Sequence, residues 1–449
     1  MRRTLKWLYP GIGVKRWLAV VSFGLLLFFL GAEVLWGWQL LSFVELRLLH
    51  FIGLFTGQSY GRAIGVGTLL LLIGLSLAGI GVRGAVRALV RVFLPAQEEQ
   101  LVDILVEQNV LARAPRVVVI GGGTGMPVLL RGLKDLTSNL TAIVTVADDG
   151  GSSGRLRDEL GILPPGDIRN CLIALATTEP LLERLFQHRF GPGTELQGHS
   201  FGNLFIAAMS EITGDFEAAV KESSKVLAVR GRVLPVTLQD IVLCAEMADG
   251  STICGETSIA ASDLAIKRVF IQPAEVDPLP EALAVIGEAD AIVLGPGSLF
   301  TSVIPNLLVP GVVEAIAASQ AAKIYVCNVM TQPGETNGFT AADHLQAIID
   351  HSRPGLIDHI LINSQSVDQD LLARYQADGA DVVTWDTAEL AALGVKTETA
   401  ELVEQDDFVR HDSRRLAQAV FGLALRSAVR QEGRKLRQRY VKRMKEVEL

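Results

Sequence analysis

The sequence predicts an α/β protein with a Rossmann-like, mostly parallel sheet covered by helices on both faces, preceded by a two-helix transmembrane hairpin. Three observations predict it. From residue 116 onward, apolar runs of strand length alternate with helical patterns, the signature of crossover units. Several of these runs end abruptly in glycine-rich turns. Two apolar stretches, 17–38 and 63–82, precede the first strand, and each has the roughly 20 residues needed to cross a hydrocarbon core.

The hairpin comes first. Arg2, Arg3, Lys6, Lys15 and Arg16 precede the first stretch, and Arg83, Arg87 and Arg91 follow the second. Basic residues collect on the cytoplasmic side, so two spans with both termini in the cytoplasm of a cell (plasma) membrane protein are expected. Glu33 lies near Trp36 and Trp38, where an interfacial belt tolerates a charge. A cleaved leader fits less well, because the first stretch is long, lacks a small-residue cleavage site and is followed by a second span. Residues 1–94 therefore read as the membrane hairpin and 95–115, polar and helix-forming, as a connecting helix.

The domain at 116–395 opens with Val117-Val118-Val119-Ile120, a β-branched run that reads as a strand buried on both faces. Gly121-Gly122-Gly123-Thr124-Gly125 follows, with Pro127 where a first helical residue would stand. A strand over 141–146 ends in Asp148-Asp149-Gly150-Gly151-Ser152-Ser153, and a third turn, Pro164-Pro165-Gly166-Asp167-Ile168-Arg169-Asn170, comes soon after. Helical patterns fill 168–190 and 200–230. Residues 240–256 read as a hairpin turning at Asp249-Gly250. Strands are expected at 266–272, 291–294, 323–327, 359–363 and 381–385. Residues 396–449 form a C-terminal extension with a basic helix from 414, read either as a solvated terminus or as a contact with the anionic inner leaflet.

Composition narrows the chemistry. A net charge of −8 argues against a nucleic-acid partner. The four cysteines, Cys171, Cys244, Cys254 and Cys327, contain no C-x-x-C pair. That spacing argues against zinc and against a disulfide framework, and fits a reducing compartment.

A strand, a glycine turn and a helix N-terminus aim bare N–H groups and a helix dipole at one spot, which favours a phosphate. Met126 stands where a third dinucleotide-fingerprint glycine would be, and no Walker lysine follows. Asp148 and Asp149 suit ribose or sugar hydroxyls, Mg²⁺ on a diphosphate, or a capping role. Gly295-Pro296-Gly297-Ser298-Leu299-Phe300-Thr301-Ser302 is a second glycine turn directly after an apolar strand; Phe300 could stack on a base or belong to the core. Asn328, Thr331, Gln332 and Glu335 cluster after the next strand. Gly198-His199-Ser200-Phe201-Gly202-Asn203 opens a helix, and nothing in the spacing pairs His199 with a serine or cysteine nucleophile.

Together, GGGTGMPVLLRGLK, ADDGGSSGRLR, LPPGDIRNCL, GHSFGN, GPGSLFTSVIPNLLVPG and YVCNVMTQPGET closely resemble the YvcK-type gluconeogenesis factors, relatives of a phospholactate transferase in the CofD-like superfamily. The resemblance covers roughly 115–395 and excludes the hairpin. It implies a Rossmann-like fold that binds UDP-sugars, notably UDP-N-acetylglucosamine, and supports cell-wall synthesis and cell shape during gluconeogenic growth. It also implies a regulator more than an enzyme, with no required cofactor and no protein-held metal. The resemblance implies wall-synthesis proteins as partners; the apolar stretches within 17–82 add the membrane, and a homo-oligomer is expected. Carried over by motif, the ligand site includes Gly122, Gly123, Thr124, Gly125, Asp148, Asp149, Asn203, Gly297, Ser298, Phe300 and Thr301. The residues' own positions add Ser152, Ser153, Asp167, Asn170, His199, Gly295, Asn328, Thr331, Gln332 and Glu335. Some relatives carry Tyr where Phe300 stands. The alternative is a transferase moving a phosphorylated moiety from a nucleotide-activated donor.

Overall fold

The computed structural model describes residues 14–36, 60–93, 110–177, 180–193, 195–405 and 408–432. It divides into two compact units, Met1–Glu107 and Gln108–Leu449.

The first unit holds helices Val14–Trp36 and Tyr60–Phe93. Within them Lys15–Leu35 and Ile64–Ala88, of 21 and 25 residues, are long and apolar enough to cross a membrane. Phe23, Leu26, Leu69 and Leu75 stay about half exposed. Glycines let the two helices approach backbone to backbone. A Cβ on Gly24 would lie 2.5 Å from Ala78 N, and one on Gly31 2.5 Å from Leu71 N. Gly67, Gly74 and Gly81 line the facing helix at seven-residue spacing, the small-residue seam that close packing in lipid uses. Glu33 is buried within this unit, 4% exposed; Trp38 lies outside the described residues.

The second unit is built on a seven-stranded parallel sheet of order β10-β9-β8-β7-β1-β2-β3. Its strands are β1 (Val117–Gly121), β2 (Leu140–Val144), β3 (Arg232–Pro235), β7 (Ala291–Leu294), β8 (Ala322–Val326), β9 (His359–Asn363) and β10 (Lys396–Ala400). β1 and β2 are buried at every residue, which explains their unbroken apolar sequence. The chain runs from β1 outward through β2 to β3, then returns to β1's other side for β7 and continues outward to β10. The order therefore reverses between β1 and β7. In open parallel sheets that reversal leaves a crevice beyond the strands' carboxyl ends, because the two crossover helices fall on opposite faces.

Helices cover both faces. Gly125–Leu133 packs against Gly166–Leu175 and the terminal helix Ser413–Glu432, while Pro280–Glu288 packs against Val312–Ala318. Gly132 is the contact point with the terminal helix, where an added Cβ would lie 2.7 Å from the Ala417 methyl. A separate antiparallel sheet, β5-β4-β6, comprises β4 (Val242–Met247), β5 (Thr252–Cys254) and β6 (Ile266–Gln272). A short antiparallel pair, β11 (Val403–Gln405) and β12 (Val409–His411), precedes the terminal helix.

Several expectations need correction. The 381–385 run forms no strand; Val382 makes only an isolated bridge to Met330. β6 belongs to the antiparallel sheet, not the parallel one. Edge strand β10, Lys-Thr-Glu-Thr-Ala, lacks the apolar run of an inner strand and so gave no signal. The 168–190 helix breaks after Leu175 and resumes at Pro180, and the 200–230 helix stops at Gly214, whose φ of 72° suits a left-handed cap. The cysteines also depart from expectation: Cys244 and Cys254 are disulfide-bonded. They face each other across the β4–β5 hairpin, so strand register rather than a spacing motif brings them together. Most of the 95–115 connecting segment and the tail beyond 432 lie outside the described residues.

Candidate functional site

The turns after β1 and β7 meet beyond the strand ends, at the reversal of strand order. A Cβ on Gly125 would lie 2.8 Å from Pro296 O and 3.0 Å from Gly297 N, so only glycine allows this backbone contact. Gly123 has φ +64°, a conformation that side chains disfavour. Its N–H donates to Asp167 Oδ2 at 2.7 Å, which ties the third turn, at the start of helix Gly166–Leu175, to the first. Gly122 must also lack a side chain, since a Cβ there would lie 2.5 Å from the same oxygen. Asn306, fully buried, donates to Gly121 O at 3.2 Å and Ser302 O at 2.8 Å, clamping both turns from beneath.

The residues after β8 hold the second turn rather than line the crevice alone. Asn328 Nδ2 donates to Gly297 O at 2.9 Å, and Gln332 Nε2 to Ser298 Oγ at 2.8 Å. Thr301 donates to Glu335 Oε1 at 3.3 Å, and both are buried. Thr331 turns to Asp381, whose N–H donates to its hydroxyl at 2.8 Å. Phe300 is 2% exposed and packs edge-on against Phe339 and His351, so it belongs to the core. Thr124, in contrast, is exposed, and Gly123, Gly125, Gly297, Ser298, Asn328 and Gln332 are partly so.

Asp148 and Asp149 part company. Asp148 Oδ1 accepts from Gly150 N–H at 2.9 Å, and its other oxygen faces Gly166, where a Cβ would approach to 2.9 Å. Asp149 Oδ1 accepts from both the Thr257 N–H, at 2.9 Å, and the Thr257 hydroxyl, at 2.7 Å. It caps the short helix Glu256–Ala260 and straps the β5 hairpin to the crevice. Asp149→Ala should therefore lower stability by about 1–2 kcal/mol, the usual cost of losing a cap. Thermal unfolding tests this; an unchanged midpoint would show that the strap contributes nothing.

Ser152 and His199, unconnected in the sequence reading, form a pair: Ser152 Oγ lies 3.1 Å from His199 Nδ1, both side chains being buried. Ser152 Oγ also accepts from the Ser200 N–H at 3.3 Å, and the tautomer of His199 sets which of the pair donates. Burial first, and Arg155 second, push His199 below the ordinary imidazole range, which favours the neutral ring. Ser153 and Asn203 stand alongside, with Asn203 Nδ2 at 3.5 Å from Ser153 Oγ.

Glu256 and Arg169 escaped the sequence reading. Arg169 is buried and donates to Asn203 Oδ1 at 2.8 Å and Asn170 Oδ1 at 2.7 Å. Glu256 follows the disulfide hairpin and carries no motif; only the fold brings it near Asp148, Asp167 and Glu335. Burial, then these carboxylates, push it up to about 9. Asp167 rises to about 6, chiefly through burial, against the pull of the Gly123 N–H. Glu335 is also raised, by burial.

Both groups favour the neutral form in the folded state. Their stabilising effect is complete below the unfolded value of about 4 and is lost as pH rises through about 6 for Asp167 and about 9 for Glu256. The unfolding temperature should fall between pH 7 and pH 10 in the native protein and fall less in Glu256→Gln. Parallel pH profiles for the two proteins would contradict a neutral Glu256. Among the described residues, no group of three or more His, Cys, Asp or Glu side chains is arranged to hold a metal ion.

Residues 117–403 match the family model described as 2-phospho-L-lactate transferase CofD. A relative from Nostoc sp. is 50% identical over 420 residues, covering 92% of this chain and 91% of its own length. The "Gluconeogenesis factor" of Bacillus subtilis is 52% identical over 314 residues, 70% of this chain and 99% of that protein. A crystal structure of a Bacillus halodurans protein superposes with a TM-score of 0.67 at 55% identity, covering 69% of this chain and 99% of that one. The chain belongs to the CofD family, within its YvcK-type gluconeogenesis-factor branch.

Proposed function

We propose that this protein is a membrane-tethered regulator that binds a UDP-sugar, UDP-N-acetylglucosamine in the first instance, and links gluconeogenic carbon supply to cell-wall synthesis and cell shape. One observation carries the reading: two glycine turns, after β1 and β7, touch backbone to backbone where the strand order reverses. That is where open α/β sheets take nucleotides, and a helix N-terminus such as that of Gly125–Leu133 suits a diphosphate. Asp148 and Asp167, half-buried residues beside the turns, would supply the groups that recognise hydroxyls. The name gluconeogenesis factor, borne by relatives such as that of Bacillus subtilis, supports the metabolic part.

The two apolar helices would hold the domain at the cytoplasmic face, where basic flanks favour both termini. Tethering raises the effective concentration of the domain near membrane-bound wall-synthesis partners without any new contact. A reporter fused after Leu449 should behave as cytoplasmic; an external signal would overturn the orientation. Isothermal titration of residues 96–449 with UDP-N-acetylglucosamine tests the ligand. Saturable heat is expected, and no heat at millimolar ligand would sink the reading.

A second reading, transfer of a phosphorylated moiety from a nucleotide-activated donor, draws on the Ser152–His199 pair and the family model's description. Release of UMP or UDP from a UDP-sugar would favour it.

A further inference from the structure

Beside the crevice, three arginines from separate elements converge on the turn at 197–203. Arg155, on helix Gly151–Leu160, donates to Gln197 O at 2.9 Å. Arg189, after helix Pro180–Gln187, donates to Gly198 O at 3.2 Å. Arg169, on helix Gly166–Leu175, runs under the same turn, where a Cβ on Gly202 would lie 2.7 Å from its Cδ. Its guanidinium is held by two neutral amide oxygens, those of Asn203 and Asn170, and its Nε has no hydrogen-bond partner. Arg169 is 8% exposed.

This arrangement is electrostatically incomplete. Among the described residues, none of the three arginines is within ion-pair distance of a carboxylate. Asp167 and Asp148 attract Arg169 from beyond contact distance, while Arg189 repels it. A buried guanidinium that lacks a charged partner and faces a like charge is costly unless an anion completes the set. Planar forks of this kind match the oxygens of a phosphate in paired hydrogen bonds.

We infer that Arg155, Arg169 and Arg189 form an oxyanion subsite, for a phosphate-class group, alongside the crevice. The subsite adjoins the proposed nucleotide site but stands on its own residues. Two sources could supply the group: a phosphate of the nucleotide ligand's own diphosphate, or a separate phosphorylated molecule bound with it. Arg169 shares its amide partners with the candidate site, so the two outer arginines are the ones to change.

Inorganic phosphate and pyrophosphate, titrated into the full chain in detergent at constant ionic strength, are the probes. Phosphate or pyrophosphate should bind the native protein saturably. Arg155→Gln and Arg189→Gln should each weaken it about tenfold, as expected for a charged hydrogen bond lost to an oxyanion. No binding to the native protein at tens of millimolar, or native affinity in the double variant, overturns the subsite. A folded double variant, checked by its unfolding temperature, keeps that second result meaningful. Repeating the phosphate titration with UDP-N-acetylglucosamine at saturation separates the sources. Displacement assigns the subsite to the nucleotide ligand, and simultaneous binding assigns it to a second molecule. Failure of UDP-N-acetylglucosamine to bind at all would remove the nucleotide reading while leaving the phosphate result intact.

Discussion

Gly125→Val should weaken UDP-N-acetylglucosamine binding by about tenfold to a hundredfold, because the two glycine turns could no longer touch. The added side chain would meet Pro296 O, Pro296 C and Gly297 N, all backbone atoms that no rotamer change can move aside. Overpacking of this kind typically costs about 1–3 kcal/mol, and separating the turns would spend that strain on the geometry that faces a diphosphate. Isothermal titration measures the loss. Gly287→Ala is the control, since nothing lies within 4 Å of its Cβ position in helix Pro280–Glu288. Equal affinity in Gly125→Val and the native protein would mean that contact between the turns does not shape the ligand site.

Gly74→Leu should part the two apolar helices. Its Cβ would fall on the Phe28 backbone nitrogen and lie 2.6 Å from Gly24 O, so the helices would have to move apart. The loss should reach at least about 3 kcal/mol, the upper end for a side chain forced into a packed interior. Pulsed electron resonance between spin labels at Phe23 and Ile80, both exposed outside the seam, reads the separation directly. The distance between the labels should lengthen in Gly74→Leu. An unchanged distance would show that the glycine seam is not what holds the pair.

The parallel sheet was legible because its inner strands are buried on both faces and therefore apolar without interruption, as in Val117–Gly121 and Ala291–Leu294. Edges were not legible. Lys396–Ala400 is half polar, pairs on one side only and carries no periodic signal. The site followed the same division. Glycine turns announce themselves because close backbone approach excludes every other residue, and Gly122, Gly123, Gly125 and Gly297 do lie together.

Roles of side chains were harder to read, since they depend on what a distant segment supplies. For Asp149 hydroxyl recognition, Mg²⁺ and a capping role all stood open, and Thr257, 108 residues on, is what engages its Oδ1. Phe300 looked like a stacking surface, yet Phe339 and His351 enclose it. Ser152 and His199 are 47 residues apart, and Glu256 reaches the carboxylate group only through the hairpin closed by Cys244 and Cys254.

A density map of the protein with UDP-N-acetylglucosamine bound tests the central claim most directly. The account predicts diphosphate density between the 122–125 and 295–298 turns, within hydrogen-bond reach of their backbone N–H groups. Nucleotide density at any other place on the domain, with those two turns unchanged and unoccupied, would contradict it.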